Sequence, residues 1–394
     1  MNDDNLFVCD SHFADNDLIR FINEEGETGR SCCICNENRI TVNSNNRDLQ
    51  ESVRGLIRYF YPEYVYNEHF GGVDFHQIFN DSNPILVKPE SVTLNDDSPF
   101  WYVVDDLLDG LDSEHIIPLY AGHIEEMRDL FAKSLRDNGY VNWNESKKLL
   151  LENNYTEVLP QFHILFHALL HRTMTTVPAG KVYSRARIGF DVQKERGKLS
   201  QAIIEKKIPY REKNILAPPP NITPSGRANR ERISYYYLAS TIATAIAEVR
   251  PHPGHYVSIA NFELTENIKV ANLSSFGIKD YIGSEEDFDN YVALRAFAYE
   301  FEFPITPDAK NRYLFSQMLS DIIKMSGLDG IMFNSSIGKG VNIVVFDKSK
   351  VKFKQNSRRL YFIKKHSYEC SRVTNVYDGF VETYTEQFGP TVRK

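Results

Sequence analysis

The amino-acid sequence predicts an α+β protein with three successive parts, and three observations carry this prediction. Residues 1–45 hold two close pairs of cysteine and histidine side chains. Residues 46–174 have apolar residues at helical spacing. Residues 175–353 alternate short strand-like segments with helix-like ones, which indicates a domain of mixed structure. Residues 354–394 show no clear motif and are predicted to be a C-terminal extension.

Composition and charge put the chain among ordinary globular proteins. Of its 394 residues, 42% are hydrophobic and 25% are charged, and the formal net charge is -8. This acidic balance argues against a protein whose whole surface binds nucleic acid. No segment approaches the length of a membrane span, and the acidic N-terminus lacks an apolar signal segment. We therefore expect a cytoplasmic protein.

The N-terminal part has the residue spacing of a zinc ribbon. Two residues separate Cys9 from His12, and two separate Cys32 from Cys35. Thiolate and imidazole both suit tetrahedral Zn²⁺, and four protein ligands leave no open position, so the pattern predicts a structural zinc site. Cys33 is left over, as a buried neighbour or an alternative ligand. The alternative interpretation is a reduced cysteine cluster without metal.

The middle part is predicted to be a helical domain. Its clearest segment is Asn46–Tyr61, in which one face is apolar. The apolar residues follow the i, i+3, i+4, i+7 pattern of a helix packed on a core, and they are Leu49, Val53, Leu56, Ile57 and Phe60.

The segment Ser225–Arg250 combines a Gly-Arg turn, a short aromatic strand and a helix. Ser234–Leu238 is short and aromatic, as is typical of a half-buried strand. Ser240 is the predicted N-cap of the helix Thr241–Val249, which is rich in alanine and isoleucine. The remaining residues of this part are organised around this segment.

Charged side chains in and before this segment predict an anion-binding cleft. Glu248 is the single acidic residue of the predicted helix, and a buried lone carboxylate is costly unless a charged or hydroxyl group meets it. We therefore expect Glu248 to share a cleft with Arg227 and Tyr237. Arg185 and Arg187 are two residues apart on a predicted strand and so lie on one face. An inward-facing arginine is costly unless it meets an anion.

Residues 175–353 resemble the RES domain family. Five motifs in order carry this resemblance, and they are V-Y-S-R-A-R at 182–187, S-G-R-A-N at 225–229, Y-L-A-S at 237–240, T-A-I-A-E-V-R at 244–250 and G-I-M-F-N-S at 330–335. The resemblance implies four catalytic residues, which are Arg185, Tyr237, Glu248 and Ser335. It also implies four residues that bind NAD, which are Arg187, Arg227, Asn229 and Ser336.

Two assignments within this resemblance stay open. The family usually has Pro-Ser at the last motif, whereas this chain has Asn334-Ser335 followed by a second serine, so the functional serine is either Ser335 or Ser336. The arginine that binds the anion is either Arg185 or Arg187, with the other one structural.

The resemblance further implies an ADP-ribosyltransferase-like fold for this domain and NAD as its substrate. Similar toxins consume NAD by phosphorolysis or hydrolysis, with inorganic phosphate or water as acceptor, or transfer ADP-ribose to a protein. Many are paired with an antitoxin that covers the site. The first 174 residues are similar to the N-terminal HEPN/RES extension of some longer relatives. No helical R-x4-6-H motif of a HEPN ribonuclease accompanies that similarity.

The residue types agree with this chemistry. Cleaving the nicotinamide–ribose bond develops positive charge on the ribose, as in glycoside hydrolysis. Glu248 suits a carboxylate that binds the ribose and opposes that charge, and Arg185 and Arg227 suit the pyrophosphate. Tyr237 offers a flat face for nicotinamide. Ser335 would fix the ribose or the amide, because no histidine relay is present to activate it.

Three alternative functions remain at this stage. The first is a protein ADP-ribosyltransferase that uses the same cleft. The second is a zinc-ribbon binding module whose RES part is inactive, and the third is a HEPN-type ribonuclease. Replacing Glu248 should abolish NAD turnover if the chain is an NAD-consuming enzyme or an ADP-ribosyltransferase. The same replacement should have no effect on a binding module or a ribonuclease.

Overall fold

The structure, a computed structural model, describes residues 5–80, 83–110, 112–122, 134–136, 148–196, 203–305, 313–365 and 367. It contains both helices and strands, so the predicted mixed fold is confirmed. The chain divides into two compact units, of which the first consists of Met1–Asn144, Phe276–Ala293 and Glu369–Lys394 and the second of Glu145–Ser275 and Leu294–Tyr368. The predicted domain boundaries after residues 45, 174 and 353 stay predictions.

The first unit begins with a small antiparallel sheet. Its strands are β1 (Phe7–Cys9), β2 (Glu27–Ser31) and β3 (Asn38–Asn43), in the spatial order β1-β3-β2. Helix α1 (Asn16–Glu25) lies between β1 and β2 in sequence. The Asp15 carboxylate caps this helix by accepting the backbone N–H of Asp17 at 2.8 Å. Leu18 and Ile22 on the inner face of α1 are fully buried.

Four further helices of the first unit precede residue 110. They are α2 (Arg47–Phe60), α3 (Glu63–Tyr66), α4 (Phe75–Asn80) and α5 (Pro99–Leu108). The helix predicted over Asn46–Tyr61 is confirmed by α2, which Asn46 caps by accepting the backbone N–H of Leu49 at 3.1 Å. All five predicted apolar residues of α2 are buried, so its amphipathic pattern does correspond to a core-facing helix.

The second unit is built on a large sheet. Within the described residues its nine strands are β4 (Met174–Val177), β5 (Val182–Ile188), β8 (Tyr236–Ala239), β9 (Tyr256–Leu264), β10 (Ile268–Asn272), β11 (Gly330–Asn334), β12 (Val341–Val345), β13 (Val351–Phe353) and β14 (Arg359–Phe362). Their order in the sheet is β13-β9-β5-β8-β12-β11-β10-β4, and β14 also pairs with β9. A separate antiparallel hairpin consists of β6 (Asp191–Arg196) and β7 (Ile203–Ile208).

Pairing in this large sheet is antiparallel except between β10 and β11. Strand β8, which was predicted over Ser234–Leu238, lies in the middle of the sheet between β5 and β12. The predicted C-terminal extension contributes β14, and its part beyond residue 367 lies outside the described residues.

Five further α-helices lie in the described part of the chain after residue 154. They are α6 (Tyr155–Arg172), α7 (Glu212–Ile215), α8 (Ile242–Glu248), α9 (Glu285–Glu302) and α10 (Leu314–Met325). In the second unit, the hydroxyl of Tyr155 on α6 donates to the Asp321 carboxylate on α10 at 2.5 Å. No helix in the described part of the chain is long and apolar enough to cross a membrane.

The two faces of the large sheet pack differently. One face buries large side chains, including Tyr236, Phe262 and Ile343, and each contributes roughly 2 kcal/mol by leaving water. The other face is covered by α8 through small side chains, with Ala239 of β8 against Ala245 of the helix. Because these residues are small, α8 lies close to the sheet, and its last residue reaches the ends of β11 and β12.

Candidate functional site

Glu248 is the meeting point of three elements. It is the last residue of α8, and its Oε1 atom accepts a hydrogen bond from the Ser335 hydroxyl at 2.6 Å and from the Asn342 amide at 2.7 Å. Ser335 follows β11, and Asn342 lies on β12. Both bonds reach the same oxygen, and within the described residues Oε2 accepts none. The Oε2 atom of the carboxylate is therefore available to a ligand.

The exposure of Glu248 corrects one sequence expectation. We expected a buried carboxylate, whereas the residue is exposed because it lies in the last turn of a short helix at the surface of the unit. The expected hydroxyl partner is present as Ser335. Asn342 is a partner that the sequence reasoning missed, and it is 7% exposed. An asparagine amid the apolar strand V-N-I-V-V was the available signal, because a buried amide needs a partner.

The loop after β11 holds Ser335 in a fixed position. The Ser335 hydroxyl accepts the backbone N–H of Gly338 at 3.0 Å, and its own N–H donates to the Gly340 carbonyl at 2.9 Å. Gly340 has a φ of +141°, and a Cβ there would lie 2.6 Å from Oγ1 of Thr244 on α8. Glycine is thus needed for this loop to lie against the helix. For Ser336, the other candidate serine, no side-chain hydrogen bond occurs with the described residues.

The start of α8 differs by one residue from the expectation. We expected Ser240 as the N-cap, but the cap is Thr241, whose hydroxyl accepts the backbone N–H of Thr244 at 3.0 Å. Ser240 still belongs to the sheet, because its hydroxyl accepts the Val341 N–H at 3.0 Å and its own N–H donates to the Val341 carbonyl at 2.8 Å.

The two arginines of β5 lie on one face of the strand, as expected from their spacing. The Arg185 guanidinium donates from Nε to the Ile215 carbonyl at 3.1 Å and from Nη1 to the Tyr237 carbonyl at 2.9 Å. Arg187 donates from Nη1 to the Asn214 carbonyl at 2.5 Å. Both side chains therefore fix the segment at α7 to the sheet.

Arg185 and Arg187 differ in their surroundings. Burial, with some repulsion from Arg187, lowers the pKa of Arg185 to about 10, which leaves it charged at neutral pH. Arg187 is exposed, and its guanidinium carbon is 5.6 Å from the centre of the Tyr210 ring. Arg185 thus lies among protein groups, whereas the side chain of Arg187 is accessible to solvent.

The Gly-Arg turn is tied to β8 through one tyrosine. The Tyr237 hydroxyl donates to Oδ1 of Asn229 at 2.6 Å and accepts the backbone N–H of Ala228 at 2.9 Å. Burial raises the pKa of Tyr237, so the hydroxyl keeps its proton. A Cβ on Gly226 would lie 2.7 Å from Oδ1 of Asn229 and 3.0 Å from the tyrosine hydroxyl, so the turn requires glycine there. Both hydrogen bonds of this hydroxyl are therefore made within the protein, and the role of the ring face as a platform for nicotinamide stays a prediction.

Arg227 projects from this turn. Its Nη1 donates to the Glu300 carbonyl at 3.2 Å, and its guanidinium carbon is 5.8 Å from the centre of the Tyr313 ring. Burial lowers the pKa of Arg227, while the charges of Tyr313 and Glu248 oppose that effect. The charge of Glu248 therefore acts on Arg227, and a cleft shared by these two residues stays a prediction.

Helix α10 supports the same turn by contacts that the sequence reasoning missed. Gln317 is buried, and the two N–H groups of its Nε2 are shared among three acceptors, which are the Ser225 hydroxyl at 2.8 Å and the carbonyls of Gly226 at 2.7 Å and Asn229 at 3.0 Å. The hydroxyl of Ser316, its neighbour, donates to the Arg227 carbonyl at 2.8 Å. The spacing of the chain gave no signal for this support, because some ninety residues separate the partners.

A second cluster lies in the first unit. The ligand atoms of Cys9, His12, Cys32 and Cys35 all lie within 4.8 Å of one another. The Sγ atoms of Cys9 and Cys35 are 3.8 Å apart. Two thiolates on one tetrahedral Zn²⁺, each at about 2.3 Å, have that separation. Nε2 of His12 is buried without a hydrogen-bond partner among the described residues, as is typical of a nitrogen that binds a metal.

The local fold explains how these four side chains converge. His12 ends a short 3₁₀ turn after β1, and Cys32 follows β2. The turn between β2 and β3 is closed by the Asn36 N–H, which donates to the Cys32 carbonyl at 2.9 Å. Cys33, the leftover cysteine, is half-buried, and its N–H donates to the Phe7 carbonyl at 2.8 Å, which joins the two pairs. Its thiol is not part of the cluster.

Comparisons with known proteins give a matching family model and a similar solved structure. Residues 206–366 match the model of the RES domain. Six of the eight candidate residues lie in that range, whereas Arg185 and Arg187 precede it. A crystal structure of the MbcT-MbcA toxin-antitoxin complex of M. tuberculosis is similar at 12% identity, over 50% of this chain and 92% of the other, with a TM-score of 0.28. None of the curated proteins matches the chain.

Proposed function

We propose, from the match of residues 206–366 to the RES domain model, that this chain consumes NAD by cleaving the bond between nicotinamide and ribose. One observation supports the proposal most. The Ser335 hydroxyl and the Asn342 amide both donate to Oε1 of Glu248, and within the described residues Oε2 accepts no hydrogen bond. This carboxylate is thus oriented by the protein and still has an oxygen to offer to a ribose hydroxyl.

Glu248 has the central role in the proposed reaction. The nicotinamide–ribose bond breaks with its electron pair going to nicotinamide, which needs no proton because the pyridinium is already cationic. Positive charge develops on the ribose, and an oriented carboxylate opposes it without reorganising. Ser335 and Asn342 hold that carboxylate in one rotamer, so Ser335 acts as a positioning hydroxyl and not as a nucleophile.

Arginines are proposed to bind the pyrophosphate of NAD. Arg227 is half-buried, and the charge of Glu248 acts on it, while Arg187 is exposed at the surface of the same unit.

The other candidate residues are proposed to shape the site. Arg185 donates two hydrogen bonds from its guanidinium to main-chain carbonyls, so we propose that it shapes the site next to Tyr237. Asn229 positions the Arg227 turn through Tyr237, whose ring face remains the proposed platform for nicotinamide. Ser336 remains a candidate for binding NAD.

Nicotinamide release tests this function. Wild-type protein is expected to release nicotinamide from NAD, and Glu248→Gln is expected to lose at least about 100-fold in rate, because the charge that opposes the ribose cation is gone. Glu205→Gln, which changes an exposed glutamate paired with Lys194 on the β6–β7 hairpin, is the matched control and should keep full activity. A wild-type protein that leaves NAD intact contradicts the proposal.

The acceptor is decided by the products of the same reaction. Phosphorolysis yields ADP-ribose carrying a new phosphate and requires inorganic phosphate, whereas hydrolysis yields free ADP-ribose in its absence. Radiolabel from NAD that appears on protein instead supports the ADP-ribosyltransferase alternative. RNA cleavage that persists in Glu248→Gln supports a HEPN-type ribonuclease. An antitoxin partner and a cytoplasmic location stay predictions from the sequence.

We also propose that the Cys9, His12, Cys32 and Cys35 cluster binds one structural Zn²⁺. The 3.8 Å sulfur separation and the unpartnered Nε2 of His12 support it. Bound zinc would cross-link the end of β1 to the β2–β3 turn. With four protein ligands no coordination position is left for a substrate, so its contribution is to folding.

A further inference from the structure

Glu302 is a second carboxylate beside the candidate site. It is the last residue of α9, and its Oε1 accepts two hydrogen bonds from Asn334, one from the backbone N–H at 3.3 Å and one from Nδ2 at 2.8 Å. Asn334 ends β11 and directly precedes Ser335. A continuous series of contacts therefore runs from Glu302 through Asn334 and Ser335 to Glu248.

The charge of Glu302 is costly where it lies. Burial raises the pKa of Glu302, and the bonds from Asn334 and the charges of Arg295 and Arg227 only partly oppose this effect. A carboxyl whose folded pKa is raised costs stability once the pH is above that pKa, and costs nothing below its unfolded pKa. A neutral glutamine could fill the same volume without this cost. The charge is thus unfavourable for folding, which indicates a role in the site.

We propose that Glu302 is a positioning residue of the NAD site, holding Asn334 so that Ser335 stays against Glu248. Its ionised carboxylate accepts both Asn334 bonds on one oxygen, and charge-assisted bonds are stronger than neutral ones. The charge of Arg227, the proposed pyrophosphate arginine, also acts to lower the pKa of this carboxylate. This inference rests on the proposed NAD-consuming function and adds a residue outside the five motifs.

Glu302→Gln separates a positioning role from a structural one. The variant is expected to lower kcat for nicotinamide release about tenfold, with KM for NAD changed less than about twofold, because Ser335 and Glu248 act as the bond opens. Its unfolding temperature at neutral pH should equal or exceed that of the wild type, since a half-buried carboxylate with a raised pKa is removed. Asp289→Asn on the same helix, where burial also raises the carboxyl pKa, is the matched control with unchanged kcat.

The pH profile and a double variant complete the test. The wild-type rate should fall on acidification as Glu302 takes up its proton, and this part of the profile should be missing from Glu302→Gln.

A double variant tests whether Glu302 acts through Asn334. Asn334→Ala should lower kcat about as much as Glu302→Gln does, and the protein that carries both changes should be no slower than either single variant. An unchanged kcat, or a lower unfolding temperature that accompanies the loss of activity, overturns the inference. If the wild type itself releases no nicotinamide, the proposed function fails and this inference fails with it.

Discussion

At the scale of single residues, the site depends on which atoms satisfy the Glu248 carboxylate. Ser335 and Asn342 both donate to Oε1, and they come from opposite sides of the β11–β12 turn. An asparagine on a strand between apolar neighbours would ordinarily be unfavourable for folding. Its amide is therefore better explained by its bond to Glu248 than by packing.

Two substitutions of Asn342 should affect activity and stability in opposite order: the aspartate variant should be the less active and the alanine variant the less stable at acidic pH. Asn342→Asp keeps the shape but puts a second carboxylate next to Glu248, so NAD turnover should fall further than in Asn342→Ala, which loses about tenfold. Asn342→Ala leaves a small cavity at a buried site and should be the less stable of the two at acidic pH, where the aspartate is protonated. Nicotinamide release and thermal unfolding measure the two effects. Equal activity in both variants would contradict the assignment of Asn342.

At the scale of elements, helix α10 holds the turn that carries Arg227. The Gln317 amide nitrogen lies within hydrogen-bonding distance of three acceptors in residues 225–229, and Ser316 donates to the Arg227 carbonyl. The turn is thus fixed by a helix that follows it by about ninety residues in the chain. The turn therefore depends on tertiary contacts in addition to its own hydrogen bonds, such as that from the Gly226 N–H to the Asn229 carbonyl at 2.9 Å.

Gln317→Glu should destabilise the second unit in a pH-dependent way. The new carboxylate would face two carbonyl oxygens and a hydroxyl, so the free energy of unfolding should fall by about 2 kcal/mol at neutral pH. The folded-state pKa of this group would be raised, so the defect should be absent below about pH 4 and grow as the pH rises. Gln161→Glu, at an exposed position of α6, is the matched control. Denaturant unfolding at several pH values checks this, and a pH-independent defect would contradict it.

At the scale of the whole molecule, the chain consists of two units that are stabilised in different ways. The second has a nine-stranded sheet with an apolar core within the described residues. The first begins with a three-stranded sheet, and β2 in that sheet is exposed throughout. A sheet this small has little apolar surface to bury, so a cross-link at its Cys and His residues would stabilise it substantially.

Metal content tests that cross-link, and Cys33 provides the control. Purified protein is expected to hold one zinc per chain by elemental analysis. Cys35→Ser should lose the metal and lower the free energy of unfolding of the first unit by at least about 2 kcal/mol. Cys33→Ser should retain the metal, because its thiol lies outside the cluster. Equal zinc in both variants, or zinc in neither the variants nor the wild type, would contradict the site.

Local patterns predicted much of the fold and part of the site. Helix α2 followed from its 3.6-residue apolar period, and strand β8 and helix α8 from their composition, because these signals are short-range. The exact N-cap of α8 did not follow, since Ser240 and Thr241 have equivalent side chains and only sheet pairing with Val341 distinguishes them. The exposure of Glu248 also did not follow, because it depends on what packs around the end of the helix.

The sequence by itself determined which residue types the site contains: a carboxylate at the end of a helix, a Gly-Arg turn, a strand with two arginines, and a serine after a late strand. Which of these side chains touch depends on the tertiary structure. The folded chain joins Ser335 and Asn342 to Glu248, pairs the Tyr237 hydroxyl with Asn229, and places Gln317 against the Gly-Arg turn and Glu302 against Asn334. The physical reason is that hydrogen-bond partners in a sheet with helices on it come from distant parts of the chain, so their pairing depends on strand order and packing and leaves no periodic signal in the sequence.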